Sequence, residues 1–190
     1  MIIDEIGYLY QTYQNMYIEK EIKILNIEYA VLVHHLEALW AKRTEPTTVR
    51  DRYYDSYDKI LRNKKQRLRL RSQWDTTVIT QKTKIPNKFM KSMTEQDIIV
   101  ESTEKWHQLL QDLWLQSIKY KEKTRISYQI DDMHFDIDCY DKIPMLLEIE
   151  WSTLEKIIYR VHRLWLQYHI QVKRGSNKLF KHYNKQKTSY

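Results

Sequence analysis

The chain has 190 residues, enough for one domain with a sizeable core. Hydrophobic residues at 42% and charged residues at 30% exclude a disordered chain. The net charge of +7 favours anionic partners, and no apolar run approaches the roughly 20 residues needed to span a bilayer, so a cytoplasmic protein is expected.

Residues 1–16 place Ile3, Ile6, Tyr10 and Tyr13 at helical spacing, which predicts a helical extension. Asp4 and Glu5 interrupt any secretory leader. From residue 17 the pattern changes to a strand. Alternation puts Glu19, Glu21 and Lys23 on one face and Ile18, Lys20, Ile22 and Ile24 on the other. Unpaired buried charge is costly, so the charged face either meets solvent or lines a polar cavity holding something charged.

Asn26 is expected to cap a helix over residues 27–42, with Tyr29, Leu32, Val33, Leu36, Leu39 and Trp40 as its apolar stripe. Residues 48–57 read as a strand, with Arg50, Arg52 and Tyr54 opposite Asp51, Tyr53 and Asp55 in facing. Arg52 is a candidate phosphate contact. Residues 66–73 alternate most clearly, with Arg67, Arg69 and Arg71 set against Leu68 and Leu70. Guanidinium forks bind phosphate bidentately and stay charged. After a turn at Asp75, residues 76–84 are expected to bring Lys82 and Lys84 to the face and depth of Arg69 and Arg71. Pro86 ends that strand. A further strand runs to about residue 100, with Glu95 on its inner face. Residues 101–119 read as a helix with Trp106, Leu109, Leu110, Leu113, Trp114 and Ile118 on its apolar side.

Residues 120–130 form a strand that turns Lys123 and Arg125 inward. Asp131 and Asp132 make the turn to residues 133–140, where His134, Asp136 and Asp138 share a face. Cys139, the one cysteine, allows no internal disulfide and reads as an inert thiol facing away from Asp138. Residues 145–151 form the last predicted strand and carry a second acidic pair, Glu148 and Glu150. Acidic pairs hold hard cations such as Mg²⁺ through oxygen. Thr153 opens a helix through about Tyr168, and Lys173 or Arg174 precedes a short final helix ending near Tyr183.

These motifs, in this order, make the chain similar to the CYTH family, the triphosphate tunnel metalloenzymes. The parts that match are Glu19, Glu21 and Lys23; Tyr53, Tyr54 and Asp55; the run ending at Arg71; Ile79 to Lys82; the region of Arg125; Asp138; and Glu148 with Glu150. The resemblance runs from residue 17 to the C-terminus, so residues 1–16 form an extension to a domain of residues 17–190. It implies an α+β fold, a closed antiparallel eight-stranded β-barrel with helices packed outside. It implies Mg²⁺ or Mn²⁺ on Glu19, Glu21, Asp138, Glu148 and Glu150. Phosphate contacts would come from Lys23, Arg52, Arg69, Arg71, Lys82, Lys84, Lys123, Arg125 and Arg174. Glu21, Glu150 and Lys82 are the expected catalytic residues. The expected reaction is hydrolysis of inorganic triphosphate or a nucleoside triphosphate, releasing orthophosphate. Alternatives are a class IV adenylyl cyclase making cyclic AMP and pyrophosphate, and a non-catalytic polyphosphate- or nucleotide-binding module. No membrane or sequence-specific nucleic-acid partner is expected, and the chain is expected as a monomer or homodimer.

Overall fold

The computed structural model describes residues 16–86, 91–151 and 153–172, with Leu179 and Tyr183. Residues 1–15 of the expected extension, and Arg174, lie outside the described residues. Ten strands are described: β1 (Met16–Leu25), β2 (Lys42–Arg43), β3 (Thr47–Asp55), β4 (Gln66–Gln73), β5 (Thr76–Ile85), β6 (Lys91–Val100), β7 (Gln116–Ile130), β8 (Met133–Tyr140), β9 (Ile143–Trp151) and β10 (Ile170–Val172). Four helices join them: α1 (Tyr29–Ala38), α2 (Ile60–Asn63), α3 (Thr103–Asp112) and α4 (Leu154–Arg163), the last followed by a 3₁₀ turn at Leu166–Tyr168.

The strand order is β10-β1-β6-β5-β4-β3-β7-β8-β9, and β1 also pairs β9. Eight strands therefore close an antiparallel β-barrel, with the helices outside. The strand β2 pairs β7. The short β10, not anticipated from the sequence, pairs β1 through Lys23 and Val172.

Contacts divide the chain into two units. The first takes in Val49–Ile85 and Met93–Lys121, and the second takes in Glu19–Thr48 and the chain from Glu122 onward. In the second unit, Ile22, Ile24, Ile126, Tyr128, Phe135, Ile137, Leu147 and Ile149 form the apolar strand face. Leu32 and Leu36 of α1 and Ile157 and Val161 of α4 cover it. In the first unit, Tyr54, Leu70 and Ile79 pack with Val100 and with Leu110 of α3. These strands thus present a hydrocarbon face to a helix and a polar face away from it, as the alternation requires.

The helices are shorter than the periodicity predicts. Helix α1 starts after Glu28, not Asn26, whose φ is 55°. Helices α1, α3 and α4 each end on a Leu followed by a Trp with left-handed backbone, Trp40, Trp114 and Trp165. Glycine usually takes that position, since it has no Cβ to clash. Trp40 and Trp114 are 91% and 85% exposed, so they terminate their helices and do not join the apolar stripes. Beyond Trp114 the chain is already strand β7. Ser102 does cap α3, accepting from the Lys105 N–H at 3.3 Å.

Asp55, from the Tyr-Tyr-Asp motif, is buried and caps α2 from outside the helix. Its carboxylate accepts from the backbone N–H of Leu61 at 2.9 Å and of Arg62 at 3.1 Å. Losing a cap of this kind costs about 0.5–2 kcal/mol. Asp55→Ala should lower Tm by about 2–8 °C in a thermal melt, with the phosphate and metal affinities unchanged.

Candidate active site

In the second unit, pairing aligns the polar side chains of four strands into rows. One row is Glu21, Glu150 and His134, continuing to Gln129. The next is Lys23, Glu148 and Asp136, continuing to Ser127. The third carries Asp138 opposite Arg125. Glu19 lies one pleat beyond Glu21 and is buried, as are Glu21 and Lys23.

Ion pairs bind these rows together. The Lys23 ammonium donates to Glu21 and, at 2.5 Å, to Glu148. Arg125 donates to Asp138 through Nε at 2.7 Å and Nη2 at 2.9 Å, and Nη2 also reaches Glu148 at 3.0 Å. Its Nη1 pairs with Asp136, and Lys123 pairs with Asp138. Ser127 donates to Asp136 at 2.6 Å. Glu148 therefore bridges Lys23 and Arg125, while Asp138, fully buried, serves Arg125 and Lys123.

The electrostatics follow from these contacts. Burial opposes the Lys23 charge, but Glu148 and Glu21 outweigh it and hold the ammonium pKa above its usual value. Burial likewise opposes the Arg125 charge, and Asp138, Asp136 and Glu148 override it. Burial alone would raise the Glu148 carboxyl, yet Lys23, Lys123 and Arg125 hold it well below the usual carboxylate range. A depressed folded value stabilises the fold above the unfolded pKa, and that stability is lost as pH falls through the folded one. Melts should therefore give a constant Tm from about pH 6 to 8 and a decline below about pH 5. Glu148→Gln should flatten that acid limb.

The first unit carries a separate polar cluster. Asp51 receives a bidentate pair from Arg71, Nε at 2.7 Å and Nη2 at 3.0 Å. Arg69 is buried; it donates to Thr80 at 2.9 Å, and its Nε lies 3.8 Å from Asp51. That Nε has no hydrogen-bond partner among the described residues. Lys82 pairs with the buried Glu95. The Tyr17 hydroxyl reaches Glu95 at 3.4 Å and Asp97 at 3.0 Å. Burial, then Asp51, raises the Tyr53 pKa, so its phenol stays neutral.

A family model for the CYTH domain matches residues 17–159. The chain belongs to the CYTH family. A candidate adenylate cyclase of Methanocaldococcus jannaschii is 27% identical over 135 residues, 71% of this chain and 77% of that protein. The crystal structure of a candidate adenylate cyclase from Vibrio parahaemolyticus superposes with a TM-score of 0.75 at 14% identity, covering 86% of this chain and 97% of that one. A Hippeastrum protein, a candidate adenylyl cyclase described as having a dominant triphosphatase activity, superposes with a TM-score of 0.60 at 11% identity, covering 87% and 95%. CYTH proteins are enzymes of the adenylyl cyclase or triphosphatase type that take triphosphate substrates and depend on metal. No described helix is long and apolar enough to cross a membrane.

Against the CYTH expectations, several residues stand elsewhere. Arg52 pairs across from Leu70, on the face opposite Arg69 and Arg71, and its guanidinium lies 5.8 Å from the Tyr120 ring. Lys84 keeps the face of Lys82 but not the depth of Arg71. Antiparallel pairing sets Lys82 against Arg67 and Val78 against Arg71, which leaves Lys84 exposed at the strand end. Both Asp138 oxygens accept from Arg125 and Lys123, and both Glu148 oxygens accept from Lys23 and Arg125, so each of these acids also holds cations in place. Asp51 and Asp136 are ion-pair partners that no sequence motif marks. Asp136 could have been found from its shared face with Asp138, whereas Asp51 depends on a register that the sequence does not print.

The remaining acids suit a hard divalent cation. In the second unit, among the described residues, six carboxylates, Glu19, Glu21, Asp136, Asp138, Glu148 and Glu150, share a face with three cations, Lys23, Lys123 and Arg125. Glu21 and Glu150 stand directly opposite each other, an arrangement of like charges that a bound cation relieves. Among the described residues, no three His, Cys, Asp or Glu side chains form a ready cage. Mg²⁺ is ordinarily held by one or two carboxylates together with substrate phosphates, so Glu21 and Glu150, with Glu19 beside them, fit that mode.

Proposed function

We propose that the protein hydrolyses the terminal anhydride of a triphosphate and releases orthophosphate, using Mg²⁺ or Mn²⁺. The observation that carries this reading is the excess of carboxylates over cations on one strand face, six against three among the described residues, with Glu21 set against Glu150. Binding phosphate alone would call only for the basic residues, so a purely binding module leaves those acids unexplained.

Glu19, Glu21, Glu148 and Glu150 would hold the cation, which supplies Lewis-acid neutralisation of phosphate oxygens. A triphosphate carries roughly four negative charges near neutral pH. Lys23, Lys123 and Arg125 of the same unit are candidates to meet its oxygens. Their carboxylate partners fix them in position, so little reorganisation is needed when the anion arrives. A Glu21 or Glu150 oxygen orients the attacking water and takes its proton. In-line attack then separates orthophosphate, with positioning and electrostatics supplying most of the rate.

The name of the archaeal relative favours a second reading, cyclisation, in which the ribose 3′-hydroxyl replaces water on the same clamp. The Hippeastrum protein's described activity favours hydrolysis. A panel of inorganic triphosphate, ATP and thiamine triphosphate, assayed with Mg²⁺ and with Mn²⁺, separates the two. Orthophosphate is the expected product. Cyclic AMP with pyrophosphate would replace the hydrolytic reading with the cyclase, and metal-independent turnover would contradict both.

A further inference from the structure

Tyr140 ends β8 and belongs to the second unit, with Lys123 and Asp138. Pairing of Arg125 with Asp138 and of Thr124 with Cys139 brings Lys123 of β7 across from it. The Lys123 Nζ lies over the Tyr140 ring, 5.7 Å from its centroid. An ammonium within about 6 Å of a ring centroid is attracted by the ring quadrupole, and more strongly when water is excluded. Lys123 is 6% exposed, so its contact is of the stronger kind. Lys156 also lies over a ring, that of Trp151, but Lys156 is exposed.

The Tyr140 ring is itself held in place. It packs against the apolar cluster of Leu25, Ile143, Leu146, Leu179 and Tyr183. A β-bulge lies beside it. Asp138 pairs with Leu146 but Tyr140 pairs with Ile143, so Pro144 and Met145 of β9 stand opposite Cys139 alone. Proline is tolerated at a bulge, where the ladder asks for no N–H, and bulges next to active sites re-aim side chains. The extra residue is on β9, so β8 keeps step with β7 and Tyr140 stays across from Lys123. The carboxylate oxygen that Lys123 uses is shared. Arg125 has three carboxylates and Lys23 has two. Lys123 pairs with the Asp138 Oδ2, which also accepts from the Arg125 Nη2 at 2.9 Å. A flexible lysine stem on a shared oxygen is fixed less firmly than an arginine fork, and the ring supplies the further restraint. We infer that Tyr140 is a positioning residue, whose ring holds the Lys123 ammonium in place to receive a phosphate oxygen of the substrate. This rests on the triphosphate reading above and adds to it a residue outside the acidic pairs and basic rows.

The test measures binding, so it does not require turnover. The full chain, with Mg²⁺, is titrated calorimetrically with the imido analogue of inorganic triphosphate and with β,γ-methylene-ATP. Tyr140→Phe keeps the ring and should bind both within about twofold of the wild type. Phenylalanines carrying one, two or three fluorines, placed at position 140, keep the ring's shape while withdrawing electron density from its face. Affinity should fall stepwise along that series, to about tenfold at three fluorines, and Tyr140→Leu should lose as much. In a Lys123→Met background the same changes should weaken binding by less than about twofold, because the group the ring acts on is gone. Equal losses in both backgrounds would show a purely structural role and overturn the proposal. A flat fluorine series, or a loss in Tyr140→Phe as large as in Tyr140→Leu, would overturn it as well. Nuclear magnetic resonance of the lysine-labelled chain without ligand checks the contact separately. The Lys123 ε-methylene protons should carry a ring-current shift that Tyr140→Phe keeps and Tyr140→Leu abolishes; its absence from the wild type overturns the contact. If neither analogue binds the wild-type chain, the triphosphate reading fails and the positioning role with it, whether or not that shift is seen.

Discussion

Arg125→Ala is expected to lower the stability of the chain by about 3–5 kcal/mol, a fall in Tm of about 6–20 °C. The guanidinium is buried and touches three carboxylates, Asp138, Asp136 and Glu148. Removing it leaves Asp138 with Lys123 alone and Asp136 with only the Ser127 hydroxyl among the contacts described above. Uncompensated buried charge is the costly outcome, much more so than loss of the pair itself. Asp138→Asn in the Arg125→Ala background should therefore recover part of the lost Tm, because it removes one of the stranded charges. Additive losses in the double variant would show that the two residues are not coupled. Arg125→Lys should restore less than Asp138→Asn does, since one ammonium cannot reproduce a fork that serves three acids.

Glu150→Gln is the second large effect, and its sign is opposite for stability and for turnover. Glu150 faces Glu21 across the β1–β9 pair, and neutralising one of two opposed carboxylates should leave the metal-free protein as stable as the wild type or more so. Turnover on triphosphate should fall by about 10²–10³-fold, the usual scale for losing one preorganised electrostatic group. Mg²⁺ raises the wild-type Tm by mass action, by an amount equivalent to about 2.7 kcal/mol at a hundred times Kd. That increment should shrink in the variant. If Glu150→Gln keeps full turnover, Glu150 has no part in holding the metal or the water.

Both effects depend on registers that the sequence shows only in part. Alternation alone places Glu19, Glu21 and Lys23 on one face, and likewise Lys123 with Arg125 and Glu148 with Glu150, because the period of two is intrinsic to a strand. The order of motifs then implied the closed barrel that is observed. Partnership is another matter. Asp51 finds Arg71 only because β3 and β4 pair with those residues opposed, and a shift of one residue would have sent it to the other face. Alternation gives the facing of Lys84 but not its depth, which depends on strand direction. Helix ends depart from the periodicity for a different reason. The chain has two glycines, and Trp takes the terminating position that glycine ordinarily marks. Lys82 was legible as an inward cation, but its pairing with Glu95 required the contact between β5 and β6.

The central claim is that carboxylates in excess of the cations on their strand face hold a divalent ion with the help of the substrate's own phosphates. Electron paramagnetic resonance of Mn²⁺ titrated into the full chain, with and without inorganic triphosphate, tests it directly. The account predicts that bound Mn²⁺ increases when triphosphate is added, beyond what triphosphate alone captures, and that the double variant Glu21→Gln, Glu150→Gln abolishes the increase while its melt stays cooperative. An unchanged free Mn²⁺ signal in the wild-type chain, or full binding by the double variant, would contradict it.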